Sequence, residues 1–271
     1  MNRGQIHPFL GRQQQRQANR ERENRLNRLH SSQDSSLPPG ARVTLETTPV
    51  KITVSKENYL KAIADLETEG ETVIAATLAR WLNVSAPAVT AAIKRLKRDA
   101  LIYVSPTTGQ ISLANEGREI AHRLLYRHYL IERMLTEVFG MEWYKVHDEA
   151  EQLEHAVSGD FERKLIEKLG TNATCPHGNR VENDTPAVRR QRGWLTLSEL
   201  PVNSQGTVTS VYERDRQLLI YLDELGVRPG AELKIEAKNY DDTLTIRLTD
   251  RPFQLGNSAA ARIWMKPQPV A

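Results

Sequence analysis

Cysteine and long apolar runs are what this sequence of 271 residues most clearly lacks. Its single cysteine, Cys175, excludes a framework of intramolecular disulfides and is typical of a reducing compartment. No run approaches the ~18–20 apolar residues of a membrane span, and the N-terminal residues lack the apolar core of a signal peptide. We therefore expect a cytoplasmic protein that has no membrane partner.

An excess of one charge sign is also missing, because 37 Lys and Arg residues stand against 34 Asp and Glu residues. Residues 1–45 hold eight of the arginines and three of the acidic residues, which leaves 29 basic and 31 acidic residues in the remainder. This distribution excludes a globally basic nucleic-acid-binding protein, so any DNA contact must rest on a local patch. The basic arm, residues 1–50, is rich in Gln, Asn and Ser, and it is predicted to be disordered or to touch DNA phosphates non-specifically.

The first region of regular pattern, residues 51–116, predicts a winged helix-turn-helix. Apolar residues at helical spacing indicate a helix that Gly70 ends, a second helix over 73–81 and a third over 86–99. Pro87 fits the first turn of the third helix, where its missing N–H costs nothing. Two short apolar runs, Leu101–Val104 and Gln110–Leu113, then flank a Pro/Gly turn and predict a β-hairpin.

The rest of the chain divides into a helical and a β-rich region. Residues 117–170 predict a long helix that stops at Gly140 and two shorter helices, over about 146–157 and 160–169. Residues 171–194 are polar and read as a linker, and residues 195–268 alternate as short strands that predict a small SH3-like β-barrel. The predicted fold is therefore mainly α with a small β domain.

The third helix of the winged region carries the local basic patch. Lys94, Arg95, Lys97 and Arg98 place four cations within five residues, which suits phosphate contacts. Small residues near the start of that helix would face base edges in the major groove. The predicted DNA-binding residues are Ser85, Pro87, Ala88, Thr90, Ala91, Lys94, Arg95 and Arg98. The alternative is an ordinary solvated helix face.

Carboxylates and histidines at helical spacing form a candidate metal constellation. Glu151, Glu154 and His155 lie at i, i+3 and i+4, and His128 and Glu132 repeat the i, i+4 spacing on the long helix. Such a nitrogen and oxygen ligand set suits Mn²⁺ or Fe²⁺. The alternative is an acidic helix face with incidental histidines. A metalloprotease is disfavoured, because the motif is Glu-x-x-Glu-His and not His-Glu-x-x-His.

The lone pair Cys175 and His177 is a weaker candidate. In a polar linker it lacks the two further ligands of a closed zinc site, so no ligation is expected there.

With these motifs in register, the chain resembles the DtxR/MntR family of metal-dependent transcriptional regulators from about Val54 to Pro267. The segments that carry the resemblance are Glu57-Asn58-Tyr59-Leu60, Ser85-Ala86-Pro87-Ala88-Val89-Thr90, Tyr126-Arg127-His128, Lys145-Val146-His147-Asp148-Glu149-Ala150, Leu153-Glu154-His155, Cys175-Pro176-His177-Gly178-Asn179 and Leu222-Asp223-Glu224-Leu225-Gly226-Val227-Arg228-Pro229-Gly230. The resemblance implies a homodimer with a winged helix, a helical metal-binding and dimerisation domain and a C-terminal FeoA-type SH3-like domain.

The resemblance also implies two metal sites. His128, Glu132 and His147 match one site, and Glu151, Glu154 and His155 match the other. Glu151 stands where the manganese-type branch has Glu and the iron-type branch has Cys, which favours Mn²⁺ over Fe²⁺.

Two positions on the first helix, and one in the β-rich region, depart from the pattern of the family. Asn58 replaces an Asp or Met ligand and can offer only an amide oxygen, and Lys61 replaces a second carboxylate and cannot ligate as a cation. The SH3-like ligands of the iron-type branch map poorly, with Asp215 the nearest candidate and Leu218 unable to serve.

Together these features predict a dimeric, metal-activated transcriptional regulator that represses metal-uptake genes from an inverted-repeat DNA operator. It would have no small organic substrate and no enzymatic activity. One alternative is a winged-helix regulator whose metal site is structural or defunct. A second alternative is a metallohydrolase with Glu149 or Glu154 as the base, which leaves the basic helix and the hairpin unexplained.

Overall fold

A computed structural model describes residues 52–172, 174–182 and 184–268 of the chain. The predicted basic arm, residues 1–50, lies outside the described residues. In the described part of the chain, no helix is both long and apolar enough to cross a membrane.

The first described region is the predicted winged helix-turn-helix. Its elements are α1 (Val54–Thr68), α2 (Ala75–Leu82), α3 (Ala86–Arg98), β1 (Ile102–Val104) and β2 (Ile111–Leu113). The Thr53 side chain accepts a hydrogen bond from the Lys56 amide and so caps α1. Asn83 adopts the left-handed conformation, with φ of 52°, and ends α2 before the turn. β1 and β2 pair antiparallel, with Ile102 opposite Leu113.

Helices dominate the region that follows. It contains α4 (Asn115–Arg133), a π-helical segment (Met134–Val138), α5 (Val146–Leu153) and α6 (Gly159–Leu169). α1 packs along α4, and Ala121, Leu125 and Tyr129 of α4 join the core of the winged region. α5 ends at Leu153, four residues before the predicted end, so that Glu154 and His155 lie in the turn beyond it.

The segment predicted as a polar linker is packed into the molecule. It contains the short helix α7 (Pro186–Gln191), and it buries Cys175, His177, Asp184 and Arg189. Buried polar groups persist only when they are paired, and Arg189 donates to Asp184 over 2.7 Å. Hydrophobic periodicity cannot detect such a segment, because its buried side chains are polar.

The C-terminal region is a six-stranded antiparallel sheet. Its elements are β3 (Leu195–Thr196), β4 (Gln205–Val211), α8 (Arg216–Leu225), β5 (Glu232–Lys238), β6 (Thr243–Leu248), β7 (Arg251–Gly256), α9 (Asn257–Ala260) and β8 (Ile263–Pro267), and the strand order is β3-β8-β4-β5-β6-β7. Leu219 and Leu222 of α8 pack into its core. Within residues 195–268 no ladder joins β3 to β7, so the sheet is open and not the closed barrel that was predicted. Register shifts in β4 and β5 bend it.

Candidate metal centre and DNA-binding surface

Three buried side chains from two helices converge on one point. His128 and Glu132 lie one turn apart on α4, and His147 lies at the start of α5. His128 Nε2, Glu132 Oε1 and His147 Nδ1 form a triangle whose three edges are each 3.1 Å. We call this group the buried triad. Helical spacing puts the first two residues on one face of α4, and the packing of α5 against α4 brings the third.

A hydrogen bond from its other ring nitrogen orients the imidazole of His128. Nδ1 of His128 lies 2.6 Å from Glu154 Oε2. A proton on Nδ1 that is donated to this carboxylate leaves the Nε2 lone pair inside the triad, which is the arrangement that metal-binding histidines commonly use. His147 Nε2 and Glu132 Oε2 are buried and have no hydrogen-bond partner in the described part of the chain.

A second group of potential ligands shares Glu132 with the triad. Glu132, Cys175, His177 and Glu213 place one ligand atom each within 4.8 Å of one another. We call this group the thiol cluster. The Cys175 thiol donates to Glu213 Oε2 over 3.1 Å, and His177 Nδ1 lies 3.5 Å from both Glu132 Oε2 and Glu213 Oε2. His177 Nε2 lies 2.8 Å from the Trp143 carbonyl oxygen and donates to it.

Protons balance the carboxylates of these two groups. Burial alone would lower the pKa of His147, but the carboxylates of Glu132 and Glu151 outweigh it and raise the pKa to about 9. Burial is likewise outweighed at His177, where the charge of Glu132 raises the pKa to about 10. Burial and the neighbouring carboxylates raise the pKa of the Cys175 thiol well above its ordinary value. At neutral pH a metal ion would therefore have to displace protons.

The donors of the buried triad fit a divalent metal ion. Bonds of ~2.1 Å in an octahedral arrangement place neighbouring ligand atoms about 3 Å apart, close to the edges of this triangle. Two imidazoles and a carboxylate suit Mn²⁺, Fe²⁺ or Zn²⁺, and a thiolate from the thiol cluster would add a softer donor. The unpartnered Glu132 Oε2 and His147 Nε2 indicate that the protein alone does not satisfy the group.

The other predicted ligands line a neighbouring cavity of about 260 Å³, together with Asp65, Trp81 and Arg214. We call the part lined by Asn58, Lys61, Glu151, Glu154 and His155 the acidic pocket. Its three expected ligands each have a partner in the protein: Glu151 Oε1 accepts from Arg214 over 3.0 Å, Glu154 Oε2 lies 2.6 Å from His128 Nδ1, and His155 Nδ1 lies 2.8 Å from Glu57 Oε2. Lys61 Nζ also lies near both Glu154 and Glu151. Asn58 is exposed at the rim. Among the described residues, these side chains do not form a group of converging ligand atoms.

The predicted DNA-binding residues form one exposed surface on α3 and the turn before it. Every one of them is exposed: Ser85, Pro87, Ala88, Thr90, Ala91, Lys94, Arg95 and Arg98. The opposite face buries Val89, Ala92 and Leu96. Arg98 pairs with Asp99 over 3.2 Å, whereas within residues 52–268 as described no carboxylate pairs with Lys94, Arg95 or Lys97. Tyr103 of β1 adds an exposed aromatic ring on the hairpin.

Three family models match successive parts of the chain. They are the N-terminal DNA-binding domain of iron-dependent repressors over residues 51–110, the metal-binding and dimerisation domain of iron-dependent repressors over 114–182, and the FeoA domain over 195–267. The iron-dependent repressor IdeR of Mycobacterium leprae (strain TN) is 34% identical over 203 residues, which cover 70% of this chain and 87% of that protein. The chain belongs to this repressor family.

Other relatives agree with this assignment. The diphtheria toxin repressor of Corynebacterium efficiens is 32% identical over 66% of this chain and 81% of its own length. A solved structure of a manganese-dependent transcriptional repressor in complex with manganese superimposes with a TM-score of 0.69 at 28% identity, covering 78% of this chain and 98% of that one. The IdeR structure from T. acidophilum gives 0.64 at 25% identity, with 80% and 100% coverage.

As a member of the DtxR family, the chain is an iron- or manganese-dependent transcriptional repressor and not an enzyme. The metallohydrolase alternative is therefore wrong. Glu149, one of its two candidate bases, is exposed on α5. The other, Glu154, is buried and lies within hydrogen-bond distance of His128 Nδ1.

Sequence reasoning missed Glu213 and dismissed Cys175 and His177. The dismissal assumed that no further ligands were near, and the structure supplies two, Glu132 and Glu213. Glu213 follows β4 and precedes α8, and nothing in its spacing marks it. The neighbouring Asp215, the nearest candidate from the sequence, caps α8 by accepting from the Leu218 amide and is not part of the thiol cluster.

Proposed function

We propose that this repressor binds an inverted-repeat operator as a homodimer, that Mn²⁺ is its preferred activating metal with Fe²⁺ second, and that it represses genes of metal uptake. The observation that carries the proposal is the buried triad, which joins α4 to α5, and α4 packs against the winged region. Glu132, Glu213 and Glu154 provide hard oxygen donors around it, which favours Mn²⁺, and the Cys175 thiol is the soft donor that keeps Fe²⁺ as the second candidate.

The proposed metal ligands are the predicted His128, Glu132 and His147, with Glu213, Cys175 and His177 added by the structure. A bound divalent ion would supply positive charge that fixes α4 and α5 relative to each other. The protein's own contacts carry that constraint to the winged region: Lys61 of α1 lies 3.3 Å from His128 Nδ1, and Glu57 of α1 holds His155. Metal that binds one arrangement of α1 more tightly shifts the population toward it.

A two-fold dimer presents two α3 helices to successive major grooves, which is why we propose an inverted-repeat operator. Phe139, Leu153 and Phe161 are large apolar side chains of the helical region that are exposed in the single chain. Exposed apolar side chains of this size commonly mark association surfaces, and we propose that they contribute to the dimer interface.

We propose that the predicted DNA-binding residues make two kinds of contact. Lys94, Arg95 and Arg98 contact phosphates or guanine edges, while Ser85, Pro87, Ala88, Thr90 and Ala91 approach the bases closely. Because these residues are small and offer few bidentate donors, specificity would depend on thymine methyl groups, Arg95 and DNA shape.

One observation favours a second candidate function, a winged-helix regulator in which the acidic pocket holds no metal. Lys61 Nζ lies 3.2 Å from Glu154 Oε2 inside that pocket. Under this candidate, metal would stabilise the fold through the buried triad without controlling DNA binding.

The experiment that tests the proposal is selection of genomic DNA fragments by the full chain, in parallel with Mn²⁺, with Fe²⁺ under anaerobic conditions and with chelator. We expect enrichment only with metal, at sites upstream of metal-transport genes, and a footprint with two-fold symmetry. Equal enrichment with chelator would support the second candidate instead. An asymmetric footprint would contradict the dimer on an inverted repeat.

A further inference from the structure

Lys61 is a buried cation at the centre of the acidic pocket. It lies on α1 and is 5% exposed. Its ammonium lies 3.2 Å from Glu154 Oε2, 3.7 Å from Glu151 Oε1 and 3.3 Å from His128 Nδ1. A buried ammonium is tolerated only where carboxylates compensate its charge. The carboxylates that compensate Lys61 are those expected to hold a second metal ion.

An unsatisfied nitrogen atom lies beside a carboxylate of the pocket. His147 Nε2 is buried, has no hydrogen-bond partner in the described part of the chain and lies 3.6 Å from Glu151 Oε1. Its other ring nitrogen, Nδ1, belongs to the buried triad. One imidazole therefore lies between the triad and Glu151, and a cation held by Glu151 would have an imidazole nitrogen nearby as well as the carboxylates.

A third carboxylate is available to Lys61 if it leaves Glu154 and Glu151. Asp65 lies four residues further along α1 and lines the same cavity. Side chains at i and i+4 of a helix are neighbours and can pair. In the structure Asp65 Oδ2 lies 3.7 Å from Arg214 Nη1, which is longer than a hydrogen bond, so this carboxylate is not committed to the guanidinium. The ammonium can thus leave the pocket without losing a counter-charge.

We infer that Lys61 is an internal competitor that weakens a second metal site, formed by Glu151, Glu154 and His155, and so sets the metal concentration at which that site fills. The inference rests on the proposed function, in that it takes the chain to be metal-activated. A metal ion can reach Glu154 only when the ammonium moves toward Asp65. Metal would therefore bind the buried triad first and the acidic pocket second.

The test is Mn²⁺ binding to the full chain without DNA, followed through the loss of the sharp electron paramagnetic resonance spectrum of free Mn²⁺. Wild type should show a tight and a weak class of sites. Lys61→Gln should tighten the weak class by about tenfold or more, because a positive charge beside the site is removed. Lys56→Gln is the matched control on the same helix, since Lys56 pairs with Asp99 over 2.8 Å away from the pocket, and it should leave both classes unchanged.

Two further variants keep the inference falsifiable if Lys61→Gln does not fold. Glu151→Gln should remove only the weak class, and Glu132→Gln should remove the tight class. A single class in wild type, loss of the tight class in Glu151→Gln, or an unchanged weak class in folded Lys61→Gln would each overturn the inference. Failure of the proposed function would be a different result: DNA binding would not change with metal, regardless of how many metal ions the protein binds.

Discussion

Glu132 is the residue on which the two buried ligand groups depend. Its Oε1 belongs to the triad and its Oε2 faces the thiol cluster, and the side chain is fully buried. Burial would raise the pKa of this carboxyl, but the charges of His177 and His128 outweigh it and hold the pKa well below the ordinary value. An ionised carboxylate at this depth needs positive charge on both sides, from protonated histidines or from metal.

The protonated histidines predict how the metal-free protein responds to pH. Folding raises the pKa of His147 from 6.5 to about 9 and that of His177 to about 10. Their contribution to stability is therefore complete below pH 6.5 and is lost as the pH rises through these values. Burial and the charge of Glu132 would raise the pKa of Glu213, but contacts with His177 and His147 outweigh them and lower this pKa to about 2. The contribution of Glu213 to stability is therefore complete above pH 4.5 and is lost as the pH falls toward 2.

We therefore expect the melting temperature of the chelator-treated protein to be highest between about pH 4.5 and 6.5 and to fall on both sides, most clearly between pH 7 and 10. Thermal unfolding followed by circular dichroism across this range is the measurement. His177→Gln should flatten the alkaline decline. A melting temperature that stays constant from pH 6 to 10 would show that these imidazoles are neutral in the folded protein.

Individual site residues could be predicted where the spacing is local and not where it is long-range. His128 and Glu132 share a helix face, so their i, i+4 spacing was sufficient. Glu213 lies far from Glu132 in the sequence, and the segment around Cys175 contacts it, with Asn179 donating to Glu213 over 2.7 Å. No pattern within a short window of sequence records that packing.

At the scale of elements, α3 is the part of the fold that its sequence determines most completely. Pro87 in its first turn, the buried stripe of Val89, Ala92 and Leu96, and the exposed cations all follow from the order of residues. Its cationic surface should therefore supply the DNA contacts, whichever residues of the metal centre control that binding.

We expect Arg95→Ala to weaken operator binding by about 10- to 100-fold in the presence of Mn²⁺, the usual cost of one specific base contact. Lys94→Ala should weaken specific and non-specific DNA alike and lower the salt dependence of binding by about one counterion. Neither change should alter Mn²⁺ binding. Fluorescence anisotropy of labelled DNA at several salt concentrations measures the specific affinity, the non-specific affinity and the salt dependence. Lys168→Ala, which changes an exposed cation on α6, is the control. An unchanged operator affinity in both variants would remove α3 from the DNA interface.

Element ends and irregular segments were less predictable than element types. The π-helical segment Met134–Val138 continues α4 directly after Glu132 and Arg133, and no residue in it breaks a helical pattern. α5 ends at Leu153 although its apolar and acidic pattern continues, so Glu154 turns back to reach His128. In both cases the tertiary contacts, and not local propensity, decide the geometry of the ligands.

At the scale of the whole molecule, the β-rich region contributes directly to the metal-binding region. Adjacent residues between β4 and α8 point to different groups: Glu213 joins the thiol cluster, and Arg214 donates to Glu151. The Arg214 guanidinium also lies 4.6 Å from the centre of the Trp81 ring in α2. The C-terminal region thus contacts both the helix-turn-helix and a predicted ligand, which the sequence patterns alone did not indicate.

The central claim is that metal in the buried triad controls DNA binding by the whole protein. The most direct measurement is the anisotropy of labelled operator DNA, titrated with wild type, Glu132→Gln and the exposed control Glu149→Gln, each with Mn²⁺ and with chelator. We predict that Mn²⁺ tightens binding by wild type and Glu149→Gln by at least about tenfold, within the usual range of allosteric coupling, and does not change binding by Glu132→Gln. Equal binding by wild type with metal and with chelator, or a Glu132→Gln protein that responds as wild type does, would contradict the account.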